Sequence, residues 1–338
     1  MKRMNQTTMR RLISIGMLLI LVALFAGLVG TGEGKFFNET NLIEIVRNAS
    51  IPAIIGVGIT YVIITAGIDL STGSMLALVG MVMANIYVYT LLPFPVMIAA
   101  GLLVGLACGL FNGFIVAKLN VPEFIGTLAT MLIFRGLTYI IAVKNDIGAI
   151  ESVRMNHSQY AFLGSDVLYV GLYYVIIAMI IIVAIGQIVL KYTRFGTNLY
   201  SVGASKKAAT LSGIDVMKTR IIAYAVTGVT VAIGAIFMTA KLQSTTANLG
   251  TDFEFDPIAA AVVGGVALSG GSGDVIGTLI GALFMATLDN GVKMLDMNAS
   301  YQYIVKGTII IAVVIFDALY KKRIDRRAKE EGAKEGLE

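Results

Sequence analysis

Ten apolar stretches set the limits on what this chain can fold into. They cover residues 12–30, 51–67, 73–92, 95–117, 123–143, 168–190, 221–240, 257–270, 274–292 and 301–320. A helix needs about 20 apolar residues to cross a bilayer. Two of the stretches are short, and both abut glycine-rich breaks. Only 14% of the residues are charged, against roughly a quarter in soluble domains, so the main solvent of this chain is lipid. The polar stretches are too short for a separate soluble domain. The expectation is an all-α integral membrane protein of about ten transmembrane helices, forming one transmembrane domain over 1–338.

The net charge of +5 raises the question of a nucleic-acid partner, and its distribution answers it. With a cytoplasmic N-terminus and ten spans, four Lys or Arg precede the first span, one lies in loop 4–5, six in loop 6–7 and seven in the tail. The outer loops together hold six, and Arg135 and Lys306 are left in or near spans. This is the positive-inside bias of a multi-pass membrane protein, not a phosphate-binding face. Both termini are expected in the cytoplasm, with residues 1–11, 191–220 and the basic tail 321–338 on that side. The first apolar stretch follows Lys2, Arg3, Arg10 and Arg11. It is too long for a signal-peptide core and has no clear cleavage site before Glu33, so it is expected to stay as a signal-anchor helix. Arg135 and Lys306 fit snorkelling to an interface, with a role in a pathway as the other reading.

Five spans per half suggest a diverged duplication. Asn112-Gly113 is followed eight residues on by Asn120, and Asn290-Gly291 eight on by Asn298. Gly126-Thr127 and Gly307-Thr308 open the last span of each half. Ile133-Phe134-Arg135 and Ile315-Phe316-Asp317 close it. The alternative is chance likeness between helices that share a small alphabet. A true repeat of an odd number of spans makes two inverted five-helix halves, an arrangement used by transporters. The row Gly101, Gly105, Gly109 reads as close helix packing.

Two glycine-rich breaks interrupt the apolar pattern, Gly67–Ser74 and Ser269–Asp274. Backbone freed from a helix cannot face lipid; it packs in protein or lines water. Asp69 stands at the end of an apolar span, where an ionisable group is a functional candidate. It reads equally as an N-cap for the following helix, a task Ser71 could share. Asp69, Ser71, Asn112 and Asn290 are the candidates for contact with a transported molecule. Asp252, Glu254 and Asp256 read either as a docking patch for a soluble partner or as a solvated acidic loop.

Other chemistries are excluded. Cys108 is the only cysteine and His157 the only histidine, which removes disulfides, Cys or His metal clusters and a Ser-His-Asp triad. Gly271-Ser272-Gly273 follows no strand and precedes no Lys-Ser/Thr pair, so it is no phosphate loop. No catalytic residue, metal site or cofactor is expected in this chain, and its energy source is a partner polypeptide or an ion gradient.

These segments resemble the permease subunits of bacterial ABC importers for monosaccharides of the ribose/galactose type. The likeness rests on Gly67–Ser74, on Asn112–Lys118 running to Pro122–Leu128, on Thr193–Gly196 leading to Ala208–Ile214, and on Phe253–Ala260 with Val263–Gly265 and Gly270-Gly271. It extends from about Phe37 to Tyr320. The resemblance implies a type II importer-like fold and no ATPase activity in this chain. It also implies two cytoplasmic ATPase subunits that bind ATP, an extracytoplasmic sugar-binding protein and a second permease copy, all at the bacterial cytoplasmic membrane. Loop 191–220 becomes the coupling element, with Lys207, Ala208, Ala209 and Gly213 at the ATPase contact. Import permeases commonly carry Glu-Ala-Ala, three residues, then Gly there; here Lys207 replaces the Glu. On this reading Asp252, Glu254 and Asp256 dock the binding protein. The rivals are an ion-coupled secondary transporter, with Asp69 as its carboxylate, and an ABC permease for nucleosides or branched-chain amino acids.

Overall fold

A computed structural model describes residues 6–30, 36–90, 92–144, 152–155, 160, 162–164, 166–167, 172–297, 300–309, 311–312 and 315. Its helices are α1 (Gln6–Val29), α2 (Glu39–Ile64), α3 (Thr72–Tyr89), α4 (Phe94–Gly113), α5 (Glu123–Ile141), α6 (Tyr174–Tyr192), α7 (Arg194–Ala204), α8 (Lys206–Leu211), α9 (Val216–Leu242), α10 (Phe255–Val263) and α11 (Val275–Met294). Residues 300–309 form a further helical stretch. A π-helical turn, Phe114–Lys118, continues α4. Among the described residues, eight helices are long and apolar enough to cross a membrane: α1, α2, α3, α4 with its π turn, α5, α6, α9 and α11. The stretch expected over 257–270 is corrected. Its helix ends at Val263, and glycines with positive φ at 265 and 270 take over. His157, Asn298 and the tail 321–338 lie outside the described residues.

α2 is the axis of the bundle. It is apolar on every side, and Ala49 through Ile64 are buried apart from Pro52, as expected of a helix enclosed by others. α9, α10, α11, α6 and α7 all pack against it. The glycine row on α4 does what its spacing predicts: a Cβ at Gly105, Gly109 or Gly113 would strike the backbone of Gly228, Tyr224 or Ile221 on α9. Gly101 instead meets Met83 and Val79 of α3. Small residues let two helix backbones touch, which is how helices gain packing energy in lipid. The carboxy-terminal half repeats the device, Gly264 of the α10 end lying against Gly277 of α11.

The polar connection between α6 and α9 is built from local signals. Thr193, Ser205 and Asp215 each cap the helix that follows, accepting from the N–H of Gly196, Ala208 and Lys218. Such caps satisfy donors that helix ends leave open. Gly213, at φ +79, stops α8 and turns the chain into α9. Beyond α9, β4 (Ser244–Thr245) pairs antiparallel with β1 (Val153–Arg154). A second short ladder joins β2 (Asp166–Val167) to β3 (Leu172–Tyr173).

Candidate functional site: two broken helices and the loop that holds them

The first break brings three of the four sequence candidates together. Asp69 and Ser71 are 0% exposed and Asn112 1%. Asp69 Oδ1 accepts from Ser71 N–H at 2.9 Å and from Ser71 Oγ at 2.7 Å. Asn112 Nδ2 donates to Ser71 Oγ at 2.7 Å and reaches both Asp69 oxygens at 3.3 Å. The N-cap expectation for Asp69 is corrected. Ser71 is the capping residue of α3 and makes no side-chain cap bond, while Asp69 turns back on Ser71 itself. None of the ion pairs among the described residues includes Asp69. Asn112 Oδ1 and Thr72 Oγ1 are buried beside it with no hydrogen-bond partner. Burying a carboxylate without a counter-charge is unfavourable, so the site depends on every donor that reaches it. Tyr224 donates its hydroxyl to Ile68 O at 3.0 Å, tying the break to α9.

Asn290 is not part of this cluster. Its Nδ2 donates to Asn41 Oδ1 at 2.7 Å, at the start of α2, whereas Asp69 follows the other end of that helix. The matching Asn-Gly pairs therefore sit at opposite ends of the bundle.

The second break is held from outside. Asp274 is a true N-cap for α11: its Oδ1 accepts from Gly277 N–H at 2.6 Å while Oδ2 accepts from Arg11 Nε at 2.6 Å. Arg10 donates to Gly265 O at 3.2 Å. Gln187 Oε1 accepts from the N–H groups of Val275 and Ile276. Tyr200 of α7 donates to Gly273 O at 2.7 Å. Burial, and then the Asp274 carboxylate, push the Tyr200 phenol up to about 12, which keeps its proton available for that bond.

The two breaks and the loop meet at one place. Gly271 N–H donates to Ile64 O at 2.9 Å. A Cβ at Gly270 would overlap Ala66, and one at Gly203 would strike Ile64 O and Gly271 N. Only glycine lets these three chains pass so closely. Ala66 sits beside them at φ +60, left-handed backbone that alanine adopts rarely.

α8 forms the outer tip of the loop. Lys207, Ala208 and Gly213 are exposed, whereas Ala209 is buried at 3%, so the candidate coupling residues face two ways. Leu211 is 82% exposed, an apolar side chain at the tip of a polar loop. Its signal in the sequence was available: a leucine closing a capped helix just before the glycine stop. Lys206 bonds Glu123 at 3.1 Å, and Arg220 pairs with the same carboxylate. Glu123 opens α5, where a negative charge suits the helix dipole. The loop thus touches α5 as well as both breaks.

Away from the loop tip three expectations change. Glu254 is 7% exposed and packs against Gly73. Asp256 pairs with Lys306 at 2.8 Å, and Lys306 also holds Asp289 at 2.9 Å. Asp252 alone of the acidic triplet is exposed, so the three form no common docking patch. Lys306 does not snorkel, being locked between two carboxylates. Nor does Arg135, whose guanidinium donates to Ala247 O and Leu249 O, each at 2.9 Å. A desolvated cation takes the nearest acceptors rather than reaching for a distant interface. A cavity of about 230 Å³ lies nearby, lined by Arg47, Asn48, Lys241, Asp256, Asp289 and Lys293 among others.

This arrangement is one of hydrogen bonds and close backbone contacts. Among the described residues no cluster of His, Cys, Asp or Glu could hold a metal. It offers instead a surface loop wired to interrupted helices inside a membrane bundle. Comparison with known proteins agrees. The family described as branched-chain amino acid transport system / permease component matches residues 41–314. The ribose import permease protein RbsC of Haemophilus influenzae is 39% identical over 300 residues, covering 89% of this chain and 90% of that protein. RbsC of Escherichia coli K12 is 38% identical, covering 89% and 91%. The xylose transport system permease protein XylH of Haemophilus influenzae is 32% identical, covering 91% and 96%. With its broken helices, its stitched loop and near full-length similarity, the chain belongs to this family of membrane transport permeases.

Proposed function

We propose that this chain is the membrane-spanning subunit of an ATP-driven importer for a pentose or a related monosaccharide. One observation carries the reading: α7 and α8 project from the bundle with Leu211 exposed, yet α7 contacts both broken helices through Tyr200 and Gly203. An ATPase gripping α8 differently in two nucleotide states biases two conformations of the bundle. The ribose and xylose relatives support a sugar cargo. A neutral sugar asks for hydroxyl and amide contacts rather than a charged pocket. A soluble binding protein outside delivers it, two ATPase subunits drive the cycle from the cytoplasm, and a second copy of this chain completes the pore. No cofactor resides in the chain, and the ATP is bound by the partner. The charge bias supports cytoplasmic termini and a cytoplasmic α8.

Proteoliposomes containing the permease, its ATPase and its binding protein test this with radiolabelled D-ribose and D-xylose. Uptake is expected to need ATP, and Leu211→Asp is expected to abolish it without reducing membrane insertion. Accumulation by the permease alone under a proton or sodium gradient would establish a secondary transporter instead. Uptake of leucine but of neither pentose would move the cargo to amino acids.

A further inference from the structure

Residues 243–252 place a polar, non-helical strand at the depth of the membrane helices. After α9 the chain turns at Gln243, which is left-handed, and then runs along α3. Thr245 and Leu249 lie against Gly80, midway along that helix, and Gly250 lies against Gly73 near its start. Arg135, well inside α5, fixes the strand by its bonds to the carbonyls of Ala247 and Leu249. One turn further on, Tyr139 bonds the Asn248 side chain. Glu254 is buried behind the strand, while Tyr139, Asn248, Thr251 and Asp252 are exposed. Lipid supplies no hydrogen bonds, so exposed irregular backbone at this depth faces water or protein. An open groove of about 510 Å³ adjoins its Thr251–Asp252 end, bordered by Phe253, Phe255 and Met285 as well as by Gln302, Tyr303 and Lys306, a size that suits a small ligand.

We propose that Tyr139, Asn248, Thr251 and Asp252 form one wall of the translocation cavity and bind a neutral, polyhydroxylated cargo as it passes. The chemistry matches. A carboxylate accepts from two neighbouring hydroxyls, an amide both donates and accepts, and the threonine and tyrosine hydroxyls do either. The cargo class rests on the transport reading above; the wall assignment rests on the exposed strand.

Single cysteines at Asn248 and Thr251, in a Cys108→Ala background, test both parts in proteoliposomes of the complete importer. A charged, membrane-impermeant methanethiosulfonate is expected to modify both positions in at least one nucleotide state. D-ribose with its binding protein should slow that modification about tenfold when the site is occupied about nine-tenths of the time. Ile185→Cys, exposed on the apolar side of α6, should stay unmodified. Asn248→Ala is expected to lower ribose uptake by a similar factor with ATPase rate and membrane level retained, and Asn248→Gln to recover part of it. If the two cysteines are as inert as Ile185→Cys while wild type takes up ribose, the wall assignment is wrong and the importer reading stands. Reactive cysteines that neither ribose nor xylose protects, in a protein transporting neither, would keep the wall and remove the sugar.

Discussion

Asp69 and Asp274 occupy similar glycine-rich breaks and do opposite things. Asp274 reaches outward: it caps α11 and meets Arg11, so helix dipole and ion pair share one charge. Asp69 turns inward, onto Ser71 and Asn112, with no ion pair among the described residues. The difference follows from what surrounds each. The second break lies where α1 and the loop present basic and hydroxyl groups, whereas the first is enclosed by the apolar helices α3, α4 and α9. Similar motifs therefore yield a fastening in one place and a polar cluster inside the core in the other.

The strongest way to break this comparison is to disturb both breaks at once. Gly203→Val drives a side chain into Ile64 and Gly271, and backbone offers no room to repack. Loss of folded, membrane-inserted protein is expected, seen as aggregation by size-exclusion chromatography. A monodisperse Gly203→Val with normal uptake would dissolve the three-way junction. Next comes Asp69→Ala, which orphans donors of Ser71 and Asn112 and should cost about 3 kcal/mol, read as a lowered thermal midpoint in detergent. Asp69→Asn keeps one acceptor and should fold. Transport by that variant decides whether the cluster needs the charge, because full uptake would reduce Asp69 to an internal turn.

Asp274→Ala removes a cap and is expected to cost about 1 kcal/mol, with Asp274→Ser recovering most of it. Failure of serine to recover stability would shift the weight from the cap to the Arg11 pair. The smallest effect is reserved for Lys206→Ala. Its pair with Glu123 is half-exposed, and such pairs contribute about 0.5 kcal/mol or less. The midpoint should hardly move, and a large drop would mean that Glu123 needs both of its cations.

The sequence made the membrane class legible because apolar length is a one-dimensional signal. The glycine rows followed for the same reason: Gly105 and Gly109 meet α9 because small residues recur every fourth position. Asp69, Ser71 and Asn112 were singled out by residue type, but their union was not visible, since 41 residues separate Ser71 from Asn112. Asn290 was grouped with them on a repeat pattern, and its bond to Asn41 places it at the other end of α2. The acidic triplet misled because adjacent charges look alike in sequence. Only the fold gives Asp256 to Lys306 and buries Glu254. Arg135 and Lys306 were judged by distance to an interface, when the nearest carbonyls and carboxylates were what mattered.

The glycine contacts between α4 and α9 carry a mechanical meaning. Packed helices slide past one another when a layer of side chains can change rotamer. Along Gly105, Gly109 and Gly113 that layer is missing, and backbone rests on backbone. The two helices have no clutch between them. α9 begins where the loop ends, at Val216, and α4 carries Asn112 next to Asp69. On the coupling role proposed for the loop, backbone resting on backbone would leave little slack between α9 and the helix that carries Asn112.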